Sequence, residues 1–256
     1  MTTAVVAEDE SLLREELVSL LHSTWPELDI AAACEDGGSA LEAIAAHRPD
    51  VAFLDIRMPG LTGLEVAAAA AEVSPETHIV FVTAYNQYAI DAFERGAVDY
   101  LLKPVTADRL AATAKRLKTR AARTPPDAAS LAAIIEQLRA HLPAASSTPA
   151  LTWITASAGK ETRLIALEDV AYFRADTKYT VVMTAEGEAL IRKPLRELLN
   201  VLDGATFRQI HRSTIVNMKA VAAITKDDSG RGTLRLKNRP ETLPVSVAFM
   251  PLFRNM

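Results

Sequence analysis

From the second residue onward, short apolar runs alternate with stretches in which leucine and alanine recur at helical spacing. "TAVVA" (3–7) precedes "SLLREELVSLLHS", where Leu12, Leu13, Leu17, Leu20 and Leu21 fall on one helix face. "IAAACE" (30–35) precedes "GSALEAIAAHR", and "VAFLD" (51–55) precedes "GLEVAAAAAEV". "HIVFVTA" (78–84) precedes "QYAIDAFERG", and "VDYLLKP" (98–104) precedes "ADRLAATAKRLKTRAA". Five strand-then-helix units over residues 1–122 predict a doubly wound α/β domain with a parallel sheet. Right-handed crossovers bring the carboxyl ends of all five strands to one edge, where open sheets of this kind bind ligands.

The pattern changes at 123–150. "RTPPDAAS" and "LPAASSTPA" bracket the amphipathic "LAAIIEQLRAHL", which predicts a linker holding one short helix, either a dimer contact or a spacer. From 151 to 256 the runs are short and alternating: "LTWITAS", "RLIALED", "VAYFRAD", "YTVVMTA", "EALIRK", "AITKDD" and "TLRLKN". This half is mostly β, with "KPLRELLNVL" (193–202) as its one clear helix.

Composition narrows the class. The chain has 256 residues, 49 % of them hydrophobic and 23 % charged, as in a soluble globular protein. It carries no apolar run long enough for a membrane span and no signal-peptide pattern. The lone Cys34 excludes an internal disulfide and a cysteine-based zinc site. A cytoplasmic location is the expectation. The net charge of −4 conceals a split: residues 1–150 hold 12 basic and 21 acidic side chains, residues 151–256 hold 16 and 11. An acidic module is joined to a basic one, and the basic one suits a polyanion.

The chemistry of the acidic module lies at its strand ends. Glu8 and Asp9 follow the first strand, Asp55 closes the third, Thr83 the fourth and Lys103 the fifth. Three clustered carboxylates repel one another, and a hard divalent cation with oxygen ligands relieves them; few ligands with several waters suit Mg²⁺. An Asp nucleophile, a cation-bridged phosphate and a lysine that offsets developing charge form a site for receiving a phosphoryl group. Taken singly, each residue has a plainer role: Glu8 and Asp9 as helix caps, Lys103 as a surface lysine. A phosphatase of the haloacid dehalogenase type would need a second acid two residues after the nucleophile, and that position is Arg57.

These residues, with "LDIRMPG", "FVTAY" and "DYLLKP" around them, resemble the receiver domains of two-component response regulators, a flavodoxin-like fold, over about residues 1–122. The resemblance implies Asp55 as phospho-acceptor, Glu8, Asp9 and the Arg57 carbonyl as Mg²⁺ ligands, and Thr83 and Tyr100 as a coupled switch. In that switch, phosphate on Asp55 draws Thr83 inward and lets Tyr100 bury; the plain alternative is that Tyr100 is a core residue. A histidine kinase is the implied phosphoryl donor. The protein would accept the group without being an enzyme beyond that chemistry.

The second half, in "IALEDVAYFRADTKYTVV", "KPLRELLNVL", "FRQIHRSTIVNMKAV" and "LPVS", resembles the LytTR DNA-binding domain. The resemblance implies that loops between strands enter successive major grooves of double-stranded DNA, with the protein as a dimer on repeated half-sites. Candidate contacts are Lys178 and Tyr179 in one turn, Arg192 and Lys193 before the helix, and His211, Arg212 and Lys219 around one apolar strand. Asn217 reads as an internal hydrogen-bonding residue, and His211 is open to the same reading. In one place the pattern is broken. Family members commonly carry a base-reading Arg just after "PVS", where this chain has Val247 and Ala248; Arg254 lies seven residues on. The alternative is a receiver whose LytTR-like domain works mainly through protein contact.

Overall fold

A computed structural model describes residues 2–84, 99–120, 151–158, 161–227 and 230–253. The chain divides at residues 145/146 into two units, each described by itself. The linker helix expected over 123–150, the stretch "QYAIDAFERG" and Arg254 lie outside the described residues.

In the first unit the order is β1 (Thr2–Ala7), α1 (Ser11–Thr24), β2 (Leu28–Cys34), α2 (Gly37–His47), β3 (Val51–Asp55), α3 (Gly63–Val73), β4 (His78–Thr83), β5 (Asp99–Leu102) and α4 (Ala107–Arg120). The strands pair in parallel in the order β2-β1-β3-β4-β5, so the expected doubly wound sheet is present. Alternation sorts its two faces. Ala4, Val6, Phe53, Val80 and Val82 pack with Leu17, Leu21 and Trp25 of the α1 segment and with Leu110, Ala114 and Leu117 of α4. Val5, Ala7, Ala52, Leu54 and Phe81 point the other way and are fully buried, as are Leu41 and Ile44 of α2 and Val66 and Ala67 of α3. β3 is buried along its whole length because it lies at the centre of the sheet with both faces covered. Asp36 caps α2 by accepting from Ser39 N–H at 2.7 Å. Thr62 and Glu65 form a reciprocal capping box on α3.

The second unit contains β6 (Trp153–Ala158), β7 (Glu161–Ala166), β8 (Val170–Ala175), β9 (Thr180–Thr184), β10 (Gly187–Ile191), α5 (Leu195–Leu199), β11 (Phe207–His211), β12 (Thr214–Asn217), β13 (Val221–Lys226), β14 (Gly232–Leu236) and β15 (Thr242–Val245). Seven strands form an antiparallel sheet in the order β11-β12-β8-β9-β10-β6-β7, and β13-β14-β15 form a second. Ile154, Phe173, Val182, Ile191, Phe207 and Ile215 build its core against Leu195 and Leu198 of α5 and Leu202 beyond it. Two readings of the pattern change. The helix expected over 193–202 is regular only at 195–199, because Pro194 caps it and the chain turns after Leu199 to bury Leu202. The single strand expected in "FRQIHRSTIVN" is the β11–β12 hairpin, turned at Arg212 and Ser213. No helix among the described residues is long and apolar enough to cross a membrane.

Candidate functional site

β1, β3 and β5 deliver Glu8, Asp55 and Lys103 to the same edge of the parallel sheet. The Lys103 ammonium lies 2.7 Å from Glu8 Oε2 and 2.7 Å from Asp55 Oδ2, bridging the first and third strands. One carboxylate oxygen from each of Glu8, Asp9 and Asp55 lies within 4.8 Å of the others. Glu8 and Asp55 are buried, while Asp9 is more open to solvent. Three hard oxygen donors at this separation fit a divalent cation of the Mg²⁺ class.

The loop after β3 explains the lettering of "DIRMPG". Ile56 and Met58 are buried and Arg57 is exposed, so the loop anchors alternate side chains and turns at Gly60, whose φ is 77°. Arg57 N–H donates to Asp55 Oδ1 at 3.2 Å, which holds the carboxylate against its own loop. α3 begins directly beneath: Gly63 N–H donates to Ile56 O at 2.9 Å. A side-chain carbon at Gly63 would lie 2.1 Å from Asp55 O, so only glycine permits this approach. Arg14, absent from the sequence-derived set, donates through its guanidinium to Glu8 O at 2.7 Å and fixes the acidic corner. Its position in the first turn of α1, six residues after Glu8, was the available signal.

Burial pushes the Asp55 carboxyl above the usual aspartate range, and the Lys103 ammonium offsets only part of this. Burial raises the Glu8 carboxyl too, with Lys103 opposing and Asp55 adding to the rise. Burial alone would lower Lys103, but its hydrogen bonds to Asp55 and Glu8 outweigh it and the ammonium is held above its ordinary value. The site is thus electrostatically loaded: two buried carboxylates share one cation. Cys34 stands apart from this chemistry, its thiol pushed up by burial to about 11.

Thr83 closes β4 and is buried, and its carbonyl accepts from Lys103 N–H at 2.7 Å. Tyr100 lies on β5 beside Phe81, half-buried, with the Arg109 guanidinium 5.5 Å from the ring centroid.

In the β unit the sequence-derived residues separate into two groups. Ala175 N–H donates to Ser213 O, Asp176 N–H to Tyr179 O, and the Thr180 hydroxyl to Lys193 O. These bonds join the β8–β9 turn, the β11–β12 turn and the chain after β10 into one edge. It carries Lys178, Tyr179, Arg192 and Arg212 exposed, with Lys193 and His211 half-buried. His211 Nδ1 is 2.8 Å from Ser213 Oγ and accepts Ser213 N–H at 3.2 Å, so the ring shapes its own turn. From β11 to β10 the edge crosses four inter-strand steps, about 19 Å at ~4.8 Å each. That exceeds the ~12 Å width of a major groove. Lys219 does not join them. It follows Asn217 at the opposite end of β12, where Asn217 pairs with Phe207. Asn217 is internal: its amide donates to Val170 O at 2.9 Å and its oxygen accepts from Lys219 N–H at 2.9 Å.

Comparison with known proteins agrees with both halves. Residues 4–115 match the response regulator receiver domain, and residues 160–256 match the LytTr DNA-binding domain. An uncharacterised response regulatory protein of Vibrio cholerae is 41% identical over 256 residues, covering 98% of this chain and 97% of the relative. The chain belongs to the response regulators with a LytTR output domain. The positive alginate biosynthesis regulatory protein of Pseudomonas aeruginosa is 35% identical, with 91% of this chain and 89% of that protein covered. The transcriptional regulatory protein BtsR of Salmonella typhi is 34% identical, with 98% and 96% covered. All three relatives are named as regulatory proteins.

Proposed function

We propose that this response regulator accepts a phosphoryl group on Asp55 from a histidine kinase and controls transcription through DNA bound by its C-terminal domain. The observation that carries the first half is the convergence of Glu8, Asp9, Asp55 and Lys103 on one sheet edge. In the transfer, an Asp55 oxygen attacks phosphorus, the bond from phosphorus to the donor histidine nitrogen breaks, and that imidazole leaves and takes up a proton. Mg²⁺, held by Glu8, Asp9, Asp55 and the Arg57 carbonyl, would neutralise phosphoryl oxygens. Lys103 turns from its two carboxylate partners toward the new charge, and Arg57 N–H steadies the acceptor.

Phosphate on Asp55 then offers the Thr83 hydroxyl a charged acceptor at the same sheet edge. Movement of Thr83 is transmitted to Tyr100 on the neighbouring strand and to a dimerisation face that places two output domains on repeated half-sites. The basic edge around Lys178, Arg192 and Arg212 supports DNA as the ligand. One observation favours protein contact as a second reading: Val247, where the family pattern has a base-reading arginine, is a 45% exposed valine. Incubation with a small phosphodonor and Mg²⁺ should label Asp55 and leave Asp55→Asn unlabelled; label persisting in that variant would overturn the assignment. Titration of duplex DNA against salt separates the two readings, since only a DNA reader shows a steep slope and a preference over scrambled sequence.

A further inference from the structure

The basic edge of the β unit continues onto its second sheet. Ser246 N–H donates to Ile210 O at 3.0 Å, one residue before His211, so β15 ends beside the turn that carries Arg212. Gly232 pairs with both Val245 and Lys226, which puts the β13–β14 turn at this same end. Gly230 sits there with φ 85°, and a methyl carbon on it would lie 3.7 Å from Lys226 Cε and 3.9 Å from Val247 Cγ1. The lysine stem and the valine therefore flank the glycine. Ala248 is buried, so Val247 is the residue that occupies the surface after "PVS".

Lys226 borders this apolar spot and Arg231 directly follows Gly230; the sequence pattern singled out neither. Lys226 and Arg231 are both exposed, and among the described residues neither head group pairs with a carboxylate. Of the two acids between them, Asp228 lies outside the described residues, and Asp227 is used by the turn itself: its Oδ1 accepts Arg231 N–H at 2.9 Å, and Asp227 N–H donates to Arg231 O at 3.0 Å. Asp176 likewise donates its backbone N–H across the β8–β9 turn, to Tyr179 O at 2.8 Å, while its Oδ1 accepts the adjacent Thr177 N–H at 2.7 Å. In both turns the acid closes the backbone and the cations project from it. The Arg231 backbone is fixed from both sides, so its guanidinium swings from a rigid base, which lowers the entropy lost on docking. The Val247 side chain offers no hydrogen-bond donor, whereas a guanidinium offers the fork that matches guanine O6 and N7.

We infer that Lys226, at the end of β13, and Arg231, just before β14, contact DNA in this chain, with Arg231 reading a base edge in place of residue 247 and Lys226 holding a phosphate. The inference rests on the DNA-binding reading. Its test is selection of bound sites from a randomised duplex pool by the full chain, with salt slopes measured on the winning site. Arg231→Ala should relax preference at one base pair roughly tenfold and leave the other positions selected. Arg231→Lys should relax the same position while retaining the salt slope. Lys226→Ala should leave the motif intact and reduce the slope by about one. An unchanged motif in Arg231→Ala, or undiminished preference in Arg231→Lys, would overturn the assignment of Arg231. A wild-type chain that enriches no motif would overturn the DNA reading itself, and the roles of Lys226 and Arg231 with it.

Discussion

Replacing Lys103 with methionine removes the cation that, among the described residues, Glu8 and Asp55 share. Each carboxylate oxygen lies 2.7 Å from the ammonium, and the three side chains are 15%, 1% and 10% exposed for Lys103, Glu8 and Asp55. At an effective dielectric of about 20, an ion pair at ~4 Å carries about 4 kcal/mol, so two pairs set a ceiling of about 8 kcal/mol. Removal of the lysine returns its desolvation cost, and either carboxyl can take up a proton, so most of that ceiling is not realised. Breaking a buried pair from one side costs about 3–5 kcal/mol, and we take about 3 kcal/mol for a cluster with partial solvent access. With a urea slope of about 2 kcal/mol per molar, the receiver midpoint should fall by about 1.5 M. The chain has two tryptophans, one per unit: buried Trp25 in the receiver and exposed Trp153 in the β unit. In a Trp153→Phe background, Trp25 fluorescence reports receiver unfolding alone. The measurement is made in chelator, then repeated with Mg²⁺, which should restore most of the loss, and with Asp55→Asn added, which should also restore part. An unchanged midpoint in chelator, or a loss that neither Mg²⁺ nor Asp55→Asn relieves, would refute the shared-cation account.

The same electrostatics set a pH dependence. Glu8 and Asp55 are both raised above their ordinary values, so the folded receiver holds these protons more tightly than the unfolded chain. Their contribution to stability is fully present below the unfolded values near about 4 and is lost as pH rises through the folded values. In chelator, the Trp25-reported stability should fall as pH rises above the ordinary carboxylate range, and Glu8→Gln should flatten the fall; a wild-type rise over that range that Glu8→Gln leaves unchanged would contradict it. Gly63→Ala forces a carbon against Asp55 O, with backbone on both sides, and should cost about 2–3 kcal/mol and slow phosphoryl uptake on Asp55. Asn217→Ala orphans the Val170 carbonyl and the Lys219 amide and should lower β-unit stability by about 2 kcal/mol, read from Trp153.

The receiver was legible because its information is periodic and local. An apolar run that ends in an acid, repeated across strand-helix units, fixes both the sheet and the edge at which Glu8, Asp55 and Lys103 meet. Arg14 was missed because its role is a side-chain bond to a backbone carbonyl, which leaves no trace in the pattern. Gly63 was missed because a close backbone approach is a property of the packed fold. The β unit was harder for a specific reason. Seven short strands give nearly the same alternation whichever end a residue occupies, so Lys219 was grouped with Arg212 until the hairpin put them at opposite ends of β12. For the same reason Lys226 and Arg231, distant in sequence from Lys178 and Arg192, were not grouped with them.

The central claim is that phosphorylation of Asp55 governs DNA binding by the C-terminal domain. Its most direct test is retention of a randomised duplex pool by the full chain, with Mg²⁺ present, before and after addition of a small phosphodonor. The account predicts that the donor increases retention and enriches a repeated half-site for the wild-type chain, and does neither for Asp55→Asn. Equal retention and the same enriched sites with and without donor, or an equal donor response in Asp55→Asn, would contradict it.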